Sequence, residues 1–133
     1  VYRDMPFAQQ ISQVYKSRAV GNFLMQNDIK VIPNVRWGDE RTYEIAFEGI
    51  DKWGVIAVGV QGGYRGKENI EYFEQGFYKM LDMLEPETVL CYGNLSDGLL
   101  AECHYRHIKA KIYPTEISKV KCKKEVFQNE FVF

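Results

Sequence analysis

The segment Lys30-Val-Ile-Pro-Asn-Val-Arg-Trp-Gly-Asp-Glu40 passes within a few residues from apolar to chemically capable side chains. Arg36 offers a planar fork for a carboxylate or phosphate, Trp37 a stacking face, Asn34 an amide, and Asp39 an acceptor or general base. Asp39 is also the one candidate catalytic residue: with Glu40 and Glu44 it could bind magnesium for phosphodiester cleavage. A second stretch, Gln61-Gly62-Gly63-Tyr64-Arg65-Gly66, has glycines that let backbone amides approach an anion, with Arg65 and Lys67 adding charge at a helix N-terminus. Tyr92, Gly93 and Asn94 close a third apolar run. Each stretch has a plainer use. Asp39 could cap a helix and pair with Arg36, Trp37 could pack the end of a sheet, and the glycines could simply connect two elements.

Several familiar chemistries are not encoded. A Walker loop would need glycine at Gln61 and Ser or Thr at Glu68, and the Gly-x-Gly-x-x-Gly dinucleotide fingerprint is missing. No Gly-x-Ser-x-Gly elbow occurs. Cys103, His104, His107 and Cys122 lack the paired spacing of a zinc site, and an imidazole near a helix end is favourable on its own account. No metal site and no cofactor is therefore assigned. The Lys119–Lys124 basic stretch, with Phe127 and Phe131 beyond it, suits a solvated surface better than a nucleic-acid contact.

The elements that must hold these residues follow from periodicity. Phe7, Ile11, Val14 and Tyr15, continued by Phe23 and Leu24, predict a helix from Pro6 to about Gln26. Lys30 to Val35 reads as a strand, although Pro33 removes a ladder donor. A short helix is predicted over Glu40–Glu48 with Tyr43, Ala46 and Phe47 inward, ended by Gly49. Trp53–Val60 is an apolar strand of the kind buried at the centre of a parallel sheet. Lys67–Leu84 carries Ile70, Phe73, Phe77, Leu81 and Leu84 on one helical face, closed by Pro86. Thr88–Tyr92, a helix from Ser96 or Asp97, and the alternating strand His107–Tyr113 complete the series.

This alternation predicts an α/β fold, a three-layer α/β/α sandwich with a mainly parallel sheet, either flavodoxin-like or a section of a β/α barrel. A helix at Phe7 with only Val1 and Tyr2 in front of it implies a further strand upstream. Residues 1–114 form the single α/β domain, and 115–133 a C-terminal extension that serves as an edge strand or a docking arm. In a parallel sheet all strands end along one rim. Asn34, Arg36, Trp37, Asp39, Gln61, Gly62, Gly63, Arg65, Tyr92 and Asn94 are thus expected around a common hollow.

Composition sets the outer bounds. The 133 residues are 46% hydrophobic and 26% charged with a net charge of −1, which fits one globular domain and gives no global pull towards nucleic acid or a membrane surface. Three widely spaced cysteines, Cys91, Cys103 and Cys122, without a Cys-x-x-Cys pair, point to a reduced, cytoplasmic protein.

Three strings together carry a resemblance: Tyr2-Arg-Asp-Met-Pro-Phe-Ala-Gln-Gln-Ile11, Lys30 to Glu40, and Val89-Leu-Cys-Tyr-Gly93. They resemble an uncharacterised family, a domain of unknown function numbered 4417, found in Gram-positive bacteria, phages and mobile elements. The likeness spans about Val1 to Tyr113. It implies a further N-terminal portion and supplies no catalytic residues; it raises the expectation of work on nucleic acid or interference with a host system. The residues and the resemblance together lead to one expectation: the sheet rim binds a small phosphate-bearing ligand or a nucleic-acid phosphate. The alternatives are a metal-dependent nuclease or phosphoesterase built on Asp39, and a non-catalytic adaptor that dimerises or docks through 115–133.

Overall fold

Three five-residue strands, β1 (Val55–Gly59), β2 (Thr88–Tyr92) and β3 (Lys109–Tyr113), lie parallel in the order β1-β2-β3. They belong to a computed structural model that describes residues 3–60 and 67–116. The Gln61–Gly66 loop, Cys122, the basic stretch and nearly all of the C-terminal extension lie outside the described residues. The helices are α1 (Phe7–Gln26), α2 (Tyr43–Phe47, preceded by a 3-10 turn at Glu40–Thr42), α3 (Lys67–Leu84) and α4 (Asp97–Tyr105). The protein is an α/β fold with a parallel sheet. Its strand order follows the chain without reversal, the order that β/α barrels also keep.

Register decides which residues meet. Val58, Cys91 and Ile112 are aligned across the sheet, as are Ala57, Leu90 and Lys111, and Gly59, Tyr92 and Tyr113. Successive side chains point to opposite faces, so the first row faces the helices and the other two face away. On the helix face Ile56, Val58, Val89 and Cys91 are buried together with Phe73, Phe77, Met80, Leu81 and Leu84 of α3 and Leu99 and Cys103 of α4. The long apolar stripe of α3 explains that packing: residues three and four apart lie on one face and join one buried cluster with the sheet. Ser96 starts α4 by accepting a hydrogen bond from the Leu99 amide at 3.4 Å, and Arg106 ties the end of α4 to Asp82 of α3 at 2.6 Å.

The opposite face is covered by no described helix. Val55, Tyr92 and Tyr113 are 38%, 41% and 42% exposed there, and Lys109 and Lys111 are exposed beside them. The apolar Val55–Val58 run, expected to be buried on both sides, is therefore buried on one.

Two further expectations need correction. Lys30–Val35 is extended but forms no strand; it touches β1 through a single parallel bridge, Asn34 to Ala57. The Val35 amide donates to Ala57 O at 2.8 Å and the Ala57 amide to Pro33 O at 2.9 Å. Proline has no amide hydrogen to extend the ladder, and the pairing stops at those two bonds. Helix α1 has the predicted bounds but a different buried face. Gln10 and Val14 are inside, while Tyr15 and Phe23 are 71% and 63% exposed. Among the described residues no helix is long and apolar enough to cross a membrane.

Candidate functional site

The parallel strands do end side by side. The Val60 amide donates to Tyr92 O and the Gly93 amide to Tyr113 O, each at 2.9 Å, so the segments leaving β1, β2 and β3 start from one rim. Arg36 joins that rim from the side of β1. A Cβ on Gly59 would lie 3.1 Å from Arg36 Nη2, which places the guanidinium directly over the Gly59 backbone. Glycine makes this approach possible; any larger side chain would push the fork away. Arg36, Gly59, Tyr92 and Tyr113 thus form one row on the open face, and Asn34, Ala57, Leu90 and Lys111 form the next. The Tyr92 hydroxyl accepts a hydrogen bond from the Glu116 amide at 3.3 Å, and Lys111 Nζ stands 5.5 Å from the centre of the Tyr113 ring. Asn94 is exposed just beyond Gly93, whose φ of 109° turns the chain away from β2.

Alternation along the chain sends Trp37 to the other side. Its ring stacks on Phe73 with centroids 5.4 Å apart and meets the edge of Phe47 at 6.0 Å. Gly76 of α3 leaves room for the indole, since a Cβ there would overlap Trp37 Nε1. Trp37 is thereby a packing residue of the helix layer, separated by the sheet from the open face of Arg36.

Asp39 stands at the head of the 3-10 turn. Its Oδ1 accepts from the Arg41 amide at 3.1 Å and its Oδ2 from Arg41 Nη2 at 2.8 Å. The partner foreseen for it was Arg36; the structure supplies Arg41, two residues along. Thr42 Oγ1 answers with hydrogen bonds from the Gly38 and Asp39 amides at 2.9 and 3.3 Å, completing a capping box. The Arg41 guanidinium holds the Asp39 carboxyl below its ordinary range, partial burial opposing. A carboxylate so engaged is a poor general base. Gln61, Gly62, Gly63 and Arg65 lie outside the described residues. Among the described residues no three of His, Cys, Asp and Glu gather as metal ligands.

A polar cluster beneath the Gly38 turn escaped the sequence reading. Gln10 is fully buried; its Nε2 donates to Met5 O at 2.8 Å, and its Oε1 packs against Gly38. Arg3 lies over the Tyr72 ring at 4.5 Å and donates to Asn69 at 3.3 Å. The Tyr43 hydroxyl is buried without a hydrogen-bond partner among the described residues, and burial, then Glu40 and Asp39, push its ionisation upward. The available signal was Gln10 at helical spacing from Val14, a polar residue at an inward position. Tyr113 was also missed as a rim residue, because strand alternation marks it as surface without saying what lies beside it.

The family model described as Domain of unknown function (DUF4417) matches residues 1–110. Two curated relatives are the "Gene 1 protein" of Mycobacterium phage L5 and that of Mycobacterium phage D29. Each is 32% identical over 95 residues, 71% of this chain but 42% and 35% of their own lengths respectively. The chain therefore spans less than half of the relatives it matches. No solved structure matches it.

Proposed function

Starting from the chain's membership of the DUF4417 family, we propose that it binds a phosphate-bearing ligand at the C-terminal rim of its sheet, with Arg36 as the anion contact. The observation that carries this reading is the state of the Arg36 fork. It is exposed and rests over the bare Gly59 backbone. The ion pairs among the described residues fall elsewhere, on Arg41 and Arg106. A planar guanidinium fork with no carboxylate partner among the described residues suits bidentate capture of phosphate. Tyr92, in register with Gly59, gives such a ligand an aromatic neighbour, and Asn34 an amide.

The test is a thermal-shift titration with inorganic pyrophosphate and with ADP. A ligand at a hundred times its Kd stabilises the folded state by about 2.7 kcal/mol, which a melting curve resolves. Arg36→Ala should abolish the shift and leave the unliganded melting temperature within about 2 °C, as expected for an exposed side chain. A shift that survives Arg36→Ala, or none with either probe, overturns the assignment. Asp39 has its oxygens occupied by Arg41, so no observation favours the nuclease alternative over this one.

A further inference from the structure

The proposed anion contact is one corner of a larger surface. The open sheet face carries three cations, Arg36, Lys109 and Lys111, and two tyrosines, Tyr92 and Tyr113, all exposed. Strand positions on this face run Val55, Ala57, Gly59, then Thr88, Leu90, Tyr92, then Lys109, Lys111, Tyr113, and none is acidic. The charged strand positions of this face are thus all basic in a protein of net charge −1, with Glu116 beside them at the Tyr92 hydroxyl. The two tyrosines are direct register partners on neighbouring strands, so their rings stand about 5 Å apart at the backbone. Next to Tyr92 in the same row, the Arg36 guanidinium lies over the Gly59 backbone.

We propose that this face is a platform for single-stranded nucleic acid, with unpaired bases stacking on Tyr92 and Tyr113 and phosphates taken by Arg36, Lys109 and Lys111. The inference rests on the anion-binding reading of Arg36 and extends it to a ligand class. Size selects a strand over a mononucleotide. From Lys109 to Tyr113 is about 13 Å along β3, and from Arg36 to Tyr113 about 14 Å across the strands, a spread that no single phosphate covers. Aromatics select a single strand over a duplex: stacked base pairs keep their faces inside the helix, whereas splayed bases present them to aromatic rings. Charge selects nucleic acid over a neutral protein surface. Lys111 over the Tyr113 ring adds a cation to the stacking position itself.

The experiment is fluorescence anisotropy of the whole 133-residue chain with labelled oligothymidylate of fifteen nucleotides, between 50 and 200 mM salt. A fifteen-base-pair duplex and an oligoglutamate peptide serve as competitors. The single strand should bind and the duplex and peptide compete poorly. Lys109→Ala with Lys111→Ala should reduce the salt slope by about 1.4, two phosphates' worth of counterion release. Tyr92→Ala with Tyr113→Ala should weaken binding about tenfold or more with the slope unchanged, and the Phe pair should restore it because stacking needs only the ring. Matching melting temperatures exclude misfolding as the cause. Binding unaffected by the tyrosine pair, duplex competing as well as the single strand, or oligoglutamate competing equally overturns the inference. If pyrophosphate still gives its Arg36-dependent shift while the oligonucleotide does not bind, this inference falls alone; loss of both removes both.

Discussion

Gly59 and Gly76 each face a large nitrogen-bearing side chain, yet alanine should have opposite consequences at the two. At Gly59 the neighbour is the tip of Arg36, 3.1 Å from a Cβ and free to swing into solvent. At Gly76 the neighbour is the Trp37 indole, held between Phe73 and Phe47. Overpacking costs about 1–3 kcal/mol where nothing can yield, more than the roughly 1 kcal/mol a helix gains from Gly→Ala. Gly76→Ala should therefore lower the melting temperature by several degrees, while Gly59→Ala leaves it nearly unchanged and affects ligand binding instead. Asp39 gives a second residue-level test. Its folded pKa lies below the ordinary 3.8 because of Arg41, so its contribution is present above that pH and is lost as pH falls through the folded value. Asp39→Ala should cost about 1 kcal/mol at pH 7 through the lost cap. In urea unfolding the gap to the parent should narrow as pH falls below the ordinary 3.8.

Among the elements, those defined by their own periodicity were legible and those defined by a neighbour were not. Helix α3 was written out by five apolar residues at helical spacing, and β2 by an uninterrupted apolar run. The extended segment before Arg36 has the composition of a strand. Whether it pairs depends on how far Pro33 lets the ladder with β1 run, and one bridge is the result. The same limit explains the candidate site. Alternation along the Asn34–Trp37 segment sends Arg36 and Trp37 to opposite sides of the sheet, although in the chain they are adjacent. Helix α1 shows it again: of its apolar residues only Val14 is buried, with Gln10 the other inward side chain. Arg18 ties it to the end of α2, donating to Ala46 O at 2.6 Å and Glu48 O at 3.3 Å. A helix with so little buried apolar surface opens at low free energy. In hydrogen exchange the α1 amides should lose protection well before those of α3, and Arg18→Ala should widen the difference. Equal protection of the two helices would show that α1 is held by contacts beyond these.

At the scale of the whole molecule the core lies between one sheet face and its helices, and the two described cysteines sit in the middle of it. Cys91 on β2 and Cys103 on α4 are both buried free thiols. Burial, and then the neighbouring Cys103, push the Cys91 thiol up to about 12 from its ordinary 9, and burial raises Cys103 as well. Both therefore stay protonated at neutral pH and resist alkylation while the protein is folded. The pH dependence follows from linkage. Between about 9 and 12 the unfolded chain has released protons that the folded chain retains, so stability is intact below that window and declines as pH rises through it. Since both thiols belong to the one core that joins sheet and helices, this decline should register as loss of the global fold. Urea midpoints measured from pH 7 to 11 should hold steady to about 8.5 and then fall, with a smaller fall in Cys91→Ala measured against its own neutral value. Peptide mapping after iodoacetamide at pH 8 should find Cys91 and Cys103 unmodified in the native protein and fully modified in urea. Rapid native labelling of Cys91 would mean that the sheet and α4 separate far more readily than their packing indicates.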